Sequence, residues 1–192
     1  MKINEPVHGS SINNLLAAPT PCSHLLQVYE DDEQLLDRVE QFVYLGLERR
    51  EVCLVIATPA HRAELRKRLA TRRIDVEKEP WKELFLDLDA RETLDGFMID
   101  GRLDREKFEV TARDLIASMS ESGRPIRAFG EMVALLWCEG NQQTAITLEQ
   151  SWNDLIRGND ISLLCGYPVG VYNDDPFDLI NDVYVAHSAL VL

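Results

Sequence analysis

The chain has 192 residues, 45% of them hydrophobic and 28% charged, enough length to bury one substantial core and so to form one domain. Its 33 acidic against 20 basic side chains leave a formal net charge of −13, which repels phosphate backbones and anionic lipid and argues against nucleic acid or a membrane as direct partner. No apolar run approaches the roughly 20 residues that cross a bilayer, no basic-then-apolar export pattern is readable, and four scattered cysteines without a CxxC pair suit a reducing cytoplasm.

Residues 1–23, rich in Asn, Ser and Pro and ending in AAPTPCS, are expected to form a flexible tail that orders only against a partner, with the domain spanning 24–192. At His24 the pattern changes to HLLQVYE, a strand. Asp31 and Asp32 then supply capping chemistry for a helix whose Leu35, Val39, Phe42, Val43 and Gly46 share one face. VCLVIAT, 52–58, is a continuous apolar run of the kind covered on both faces, and Pro59 opens the next helix. That helix carries the densest basic stretch, HRAELRKRLATRR from His61 to Arg73, whose spacing around Leu65 and Leu69 reads as a solvated helix face.

LFLDLDA, 84–90, follows a loop containing Pro80 and Trp81 and makes a third strand. Asp104 caps a helix in which Phe108, Ala112, Leu115, Ile116 and Met119 recur at helical spacing, and Ser122-Gly123 stops it. PIRAFGE is a fourth strand, residues 132–137 and 145–156 are helical, and Gly140-Asn141 breaks them apart. ISLLCGYPV is a fifth strand, and 176–192 closes the chain as a helix or as a helix plus strand containing His187. Five apolar strands alternating with amphipathic helices predict a three-layer α/β/α domain with a mainly parallel central sheet.

In such a sheet ligands sit beyond the carboxyl ends of the strands, at Thr58 to His61, Asp87 to Asp89, Gly130-Glu131 and Tyr167. A nucleotide hydrolase of this architecture needs GxxxxGK[ST] to cradle phosphate, yet none of the ten glycines is followed by lysine. The turn after the second strand, ATPAHRAEL, offers a proline and no glycine, which removes a donor and the freedom to wrap a phosphate. ATP hydrolysis is therefore disfavoured, and no cofactor is expected.

Glu131, following Phe129-Gly130 at a strand end, is either a polar anchor or base in the crevice or a carboxylate held by a helix dipole. Glu149 and Asn153 share a helix face beside Trp152, where the pair either grips a polar head group or satisfies a neighbouring loop. His61 begins a helix after a strand, a position suited to an anion as well as to plain surface exposure. Cys22 and His24 resemble half a metal site. With no HxxxH or HExxH, a metal would have to gather scattered ligands such as Cys165 and His187 through the fold, and no metal centre is expected. Cys53 and Cys165 lie in apolar strands and read as small buried hydrophobes, and GxSxG is absent, so no enzyme is expected.

The order H-x4-Y-x-D-D, FGEM, LWxxGN, LExxWNxL and LLCxYP resembles the MEDS domain, the methanogen/methylotroph DcmR-type sensory domain, over His24 to Val191. The resemblance implies a RecA-like, KaiC-related fold without a Walker A loop, serving as a signal-input module for small organic compounds such as hydrocarbon derivatives. It carries over His24, Tyr29 and Asp32 from the opening motif, Gly130 and Glu131, Trp137 and Gly140, Glu149, Trp152 and Asn153, and Cys165 and Tyr167.

The expected ligand-binding set is therefore His24, Tyr29, His61, Glu131, Trp137, Glu149, Trp152, Asn153 and Tyr167, with Glu131, His61 and Tyr167 nearest the ligand. Family members are often joined to output modules. A lone domain is expected to signal by contact with a histidine kinase, a response regulator or its own copy. A pure docking module without a ligand, and a residual nucleotide binder using Glu131, are the alternatives.

Overall fold

The computed structural model describes residues 14–168 and 183–191. Its main sheet takes β1 (His24–Tyr29), β2 (Val52–Ala57), β3 (Phe85–Asp89), β6 (Ile126–Gly130), β7 (Ile161–Pro168) and β8 (Ala189–Val191) in the order β3-β2-β6-β7-β1-β8. Every pairing in it is parallel. Parallel neighbours require crossovers, and the helices that make them cover both faces, which is why β1, β2, β6 and β7 are buried almost throughout.

On one face lie α1 (Asp32–Glu48) and α2 (Pro59–Thr71). The other carries α3 (Ala90–Asp95), α4 (Arg105–Ser120), α5 (Met132–Cys138) and α6 (Gln142–Ile156). The expected five strands thus become six. β8 was foreseen only as one of two options for the closing segment, whose residues 176–182 lie outside the described part. Three elements had no clear signal: the six-residue α3 and the two strands of a small antiparallel pair, β4 (Met98–Ile99) with β5 (Arg102–Leu103). Elements this short hold too few residues to display a period.

Helix starts follow their caps. Asp31 accepts the Gln34 amide at 2.8 Å, Asp104 accepts that of Lys107 at 3.1 Å, and Thr58 caps α2 with Pro59 in its first turn.

The tail expectation is corrected for its second half. Residues 14–17 form a helical turn, Leu16 is completely buried, and the fully buried Arg127 guanidinium donates to Leu16 O at 2.5 Å, Ala17 O at 2.9 Å and Phe42 O at 3.1 Å. Arg127 also pairs with Glu51. A buried cation must find acceptors, and the carbonyls of residues 16 and 17 are among those within reach. The composition of 1–23 holds no trace of that demand. Residues 1–13 lie outside the described part.

Two close approaches fix the α1 face of the sheet. A Cβ on Gly46 would stand 2.7 Å from Arg127 Cδ and 2.8 Å from Cys53 Sγ. One on Gly166 would stand 2.9 Å from Leu35 Cδ1. Glycine here is a packing requirement, since α1 lies directly on the strands.

Candidate functional site

The sequence-predicted residues separate into two groups. The first stands at the carboxyl edge of the sheet, where β2 and β6 end side by side with Ile56 opposite Gly130. Glu131 continues the ladder by donating its N–H to Ile56 O at 2.9 Å, and its Oε2 accepts the Thr58 N–H at 2.8 Å. Its Oε1 lies 2.8 Å from His61 Nδ1, and His61 Nε2 lies 3.4 Å from Asp32 Oδ1.

His61 Nδ1 and the Glu131 carboxylate thus stand at ion-pair distance, and the pair is charged when His61 is protonated. The Glu131 carboxylate raises the His61 pKa above the ordinary imidazole value against the opposing effect of burial, and Asp32 adds to the rise. Tyr29, at the end of β1, is buried, and its phenol is pushed upward by burial and then by Glu131, Cys138 and Asp32.

Glu131 is thus a carboxylate at a helix N-terminus. It occupies the N-terminus of α2, where the macrodipole favours negative charge, while its second oxygen faces the edge beside His61. The N-terminus of α1 is filled in the same way, by the Asp31 cap with Asp32 and Glu33 in the first turn.

The second group lies between the sheet and α6. Side chains alternate along a strand, so Cys165 and Tyr167 leave β7 on the same face. Residues four apart share a helix face, so Glu149 and Asn153 approach together from α6. His24 comes from the start of β1, and His187 follows a helical turn at 183–186.

Glu149 Oε2 is 3.1 Å from His24 Nε2 and 3.8 Å from Cys165 Sγ. Its Oε1 accepts the Tyr167 hydroxyl at 2.6 Å and stands 3.5 Å from His187 Nε2. His24 Nε2 is 3.3 Å from Cys165 Sγ, and the two imidazole centroids are 4.0 Å apart. Trp137 packs edge-on to Tyr167 with centroids 5.5 Å apart, and Trp152 packs edge-on to Phe108 at 5.1 Å.

Burial raises the Glu149 pKa, and the neighbouring His187 and His24 in their protonated forms, together with the Tyr167 hydroxyl bond, bring it below the ordinary carboxylate value. Burial pushes His187 down to about 4, and burial with the adjacent Glu149 charge pushes the Cys165 thiol well up.

The single crevice expected around Glu131, His61 and Tyr167 is thus corrected. Tyr167 spends its hydroxyl on Glu149 in the second group, because the pleat directs it towards α6. Trp152 is core packing against Phe108. Asn153 satisfies a neighbouring loop, its amide nitrogen donating to Ala186 O at 2.8 Å, while its Oδ1 accepts from His24 Nδ1 at 3.1 Å.

The donor set that spacing alone did not predict is His24, Glu149, Cys165 and His187, whose ligand atoms all lie within 4.8 Å of one another and are buried. The one signal for it was the occurrence of His and Cys in apolar surroundings at distant positions.

The all-parallel six-stranded sheet with helices on both faces is a three-layer α/β fold, similar to the fold of KaiC-like, RecA-like proteins. A KaiC-like protein of the hyperthermophilic archaeon Pyrococcus horikoshii OT3 superposes with a TM-score of 0.60 at 10% identity, covering 88% of this chain and 71% of its own. A second Pyrococcus horikoshii OT3 protein gives 0.56 at 7% identity, covering 93% and 85%. No curated protein matches the sequence. The family model of the MEthanogen/methylotroph, DcmR Sensory domain matches residues 23–188, and the chain belongs to this MEDS family.

Proposed function

We propose that this chain is a non-catalytic, cytoplasmic signal-sensing protein. A small organic ligand binds at the carboxyl-edge crevice beside Tyr29, Asp32, His61 and Glu131, and occupancy is relayed by contact with another protein. The observation that carries the reading is the state of the two helix N-termini at that edge. A triphosphate needs free backbone N–H groups and positive potential. Here the Thr58 N–H is taken by Glu131, the Gln34 N–H by Asp31, and Asp32 and Glu33 add negative charge. A fold related to KaiC-like proteins has its anion sites filled by its own carboxylates, which suits a neutral or cationic ligand and opposes a nucleotide.

The relay follows from chain connectivity. Glu131 is the residue before α5, and α5 joins α6 through Gly140, whose φ of +75° lies in the left-handed region. A ligand that binds one arrangement of this helix pair more tightly shifts the pair by that difference in affinity.

The test is a thermal-stability series with short-chain alcohols, aldehydes, amines and Mg-ATP. A shift from one of the small organics that disappears in Glu131→Gln, with none from Mg-ATP, supports the proposal. Steady ATP turnover, or a panel that leaves stability and oligomeric state untouched, overturns it.

A further inference from the structure

One atom of the buried cluster, His187 Nε2, is not explained by internal hydrogen bonding. His187 Nδ1 is 2.6 Å from Val183 O. A carbonyl only accepts, so Nδ1 carries the proton and Nε2 offers a lone pair. The same holds for His24: the Asn153 amide nitrogen is committed to Ala186 O, which turns Asn153 Oδ1 towards His24 Nδ1 as an acceptor.

The His187 lone pair is therefore aimed at a carboxylate that also only accepts, at 3.5 Å, while the His24 lone pair stands 3.1 Å from the same carboxylate and 3.3 Å from Cys165 Sγ, whose S–H donates to it. His187 Nε2 is buried and makes no hydrogen bond. Lone pairs directed at one another repel, and among the described residues no lysine or arginine pairs with Glu149 to absorb its charge. A cation placed between these atoms attracts the carboxylate, both imidazole lone pairs and the sulfur alike.

We propose that His24, Glu149, Cys165 and His187 form a binding site for one divalent first-row transition ion of the zinc class. Donor atoms around tetrahedral zinc stand roughly 3.2–3.8 Å apart, given bonds of about 2.0–2.3 Å. Among His24 Nε2, Glu149 Oε2 and Cys165 Sγ the separations of 3.1, 3.3 and 3.8 Å lie close to those edges, and His187 Nε2 stands 3.5 Å from the other Glu149 oxygen. The widest pair, within 4.8 Å, closes by about 1 Å.

The outer partners are those a metal site requires. Asn153 orients His24, Val183 O orients His187, and the Tyr167 hydroxyl holds Glu149 Oε1, leaving Oε2 beside His24 and Cys165. A mixed nitrogen, oxygen and sulfur set favours zinc or its neighbours over magnesium or calcium, which prefer all-oxygen shells. Four protein donors make a closed site, which is structural in character. The ion ties the turn ahead of β8 to β1, β7 and α6. This inference stands independently of ligand binding at the carboxyl edge.

The experiment uses the whole chain, stripped with a chelator and then titrated with Co2+ and Zn2+. Expected are one ion per chain, a rise in thermal stability reversed by chelator, and a thiolate-to-cobalt charge-transfer band with the intense visible absorption of a four-coordinate ion. In Cys165→Ser that band disappears, and in His24→Gln/His187→Gln uptake is lost. Circular dichroism selects variants that remain folded, and the wild-type titration decides even if none does. Failure of the folded wild type to bind either ion overturns the proposal, as does a charge-transfer band that survives Cys165→Ser and so belongs to the exposed Cys22 or Cys138.

Discussion

Glu131 Oε2 accepts the backbone N–H of Thr58 at 2.8 Å, so a side chain that follows β6 closes the N-terminus of the helix that follows β2. This one bond fastens two crossovers together at the carboxyl edge, where open parallel sheets place their ligands. Glu131→Ala leaves a partly buried N–H without its acceptor, a loss of about 1–3 kcal/mol. Glu131→Gln keeps an oxygen for Thr58 and loses only the His61 pair, so it is expected to cost about half as much or less. Urea denaturation of both variants measures the order, and equal losses would mean that the Thr58 bond contributes nothing.

The same pair sets a pH dependence. Since Glu131 raises the folded-state pKa of His61, the stabilisation is fully present below the unfolded imidazole value of about 6.5 and is lost as pH rises through the folded value. Wild type should therefore exceed His61→Gln in melting temperature most below about pH 6, with the gap closing as pH rises through the raised folded value. An NMR titration of His61 should give a midpoint above 6.5 that falls in Glu131→Gln. A midpoint unmoved by that substitution would remove the assigned cause.

Arg127 is the counterpart at the other end of the strands. Arg127→Met strands the carbonyls of Leu16, Ala17 and Phe42 and the carboxylate of Glu51, with an expected loss of about 3–5 kcal/mol. Arg127→Lys recovers little, because an ammonium cannot reproduce the planar fork. Hydrogen exchange should show residues 14–18 losing protection before β6 does. Retained protection there would mean that Leu16 burial, not the guanidinium, holds the segment.

Gly46 gives a prediction in which two effects oppose. Helix propensity favours Gly46→Ala by about 1 kcal/mol. The new methyl meets Arg127 Cδ at 2.7 Å and Cys53 Sγ at 2.8 Å, and Arg127 is pinned by its hydrogen bonds and cannot yield. Overpacking of about 1–3 kcal/mol is expected to win, so thermal unfolding of Gly46→Ala should occur below wild type. A rise in melting temperature would show that α1 moves off the sheet at little cost.

The fold was legible where the residues speak locally. The apolar runs of β1, β2, β6 and β7, the Asp31, Thr58 and Asp104 caps and the break at Gly140 all act on atoms a few residues away, and each element formed where its pattern placed it. The short α3, β4 and β5 escaped notice for the converse reason.

Sequence alone determined a three-layer α/β domain without a phosphate cradle, because strand and helix periods and the absence of GxxxxGK are properties of neighbours along the chain. Tertiary structure alone decided that His24, Glu149, Cys165 and His187 meet, that Tyr167 serves Glu149 and not the Glu131 edge, and that Leu16 and Ala17 satisfy Arg127. Those meetings depend on the β6-β7-β1 strand order, on the face to which each pleat points and on the acceptors left within reach of a buried charge. No spacing in the linear chain encodes them.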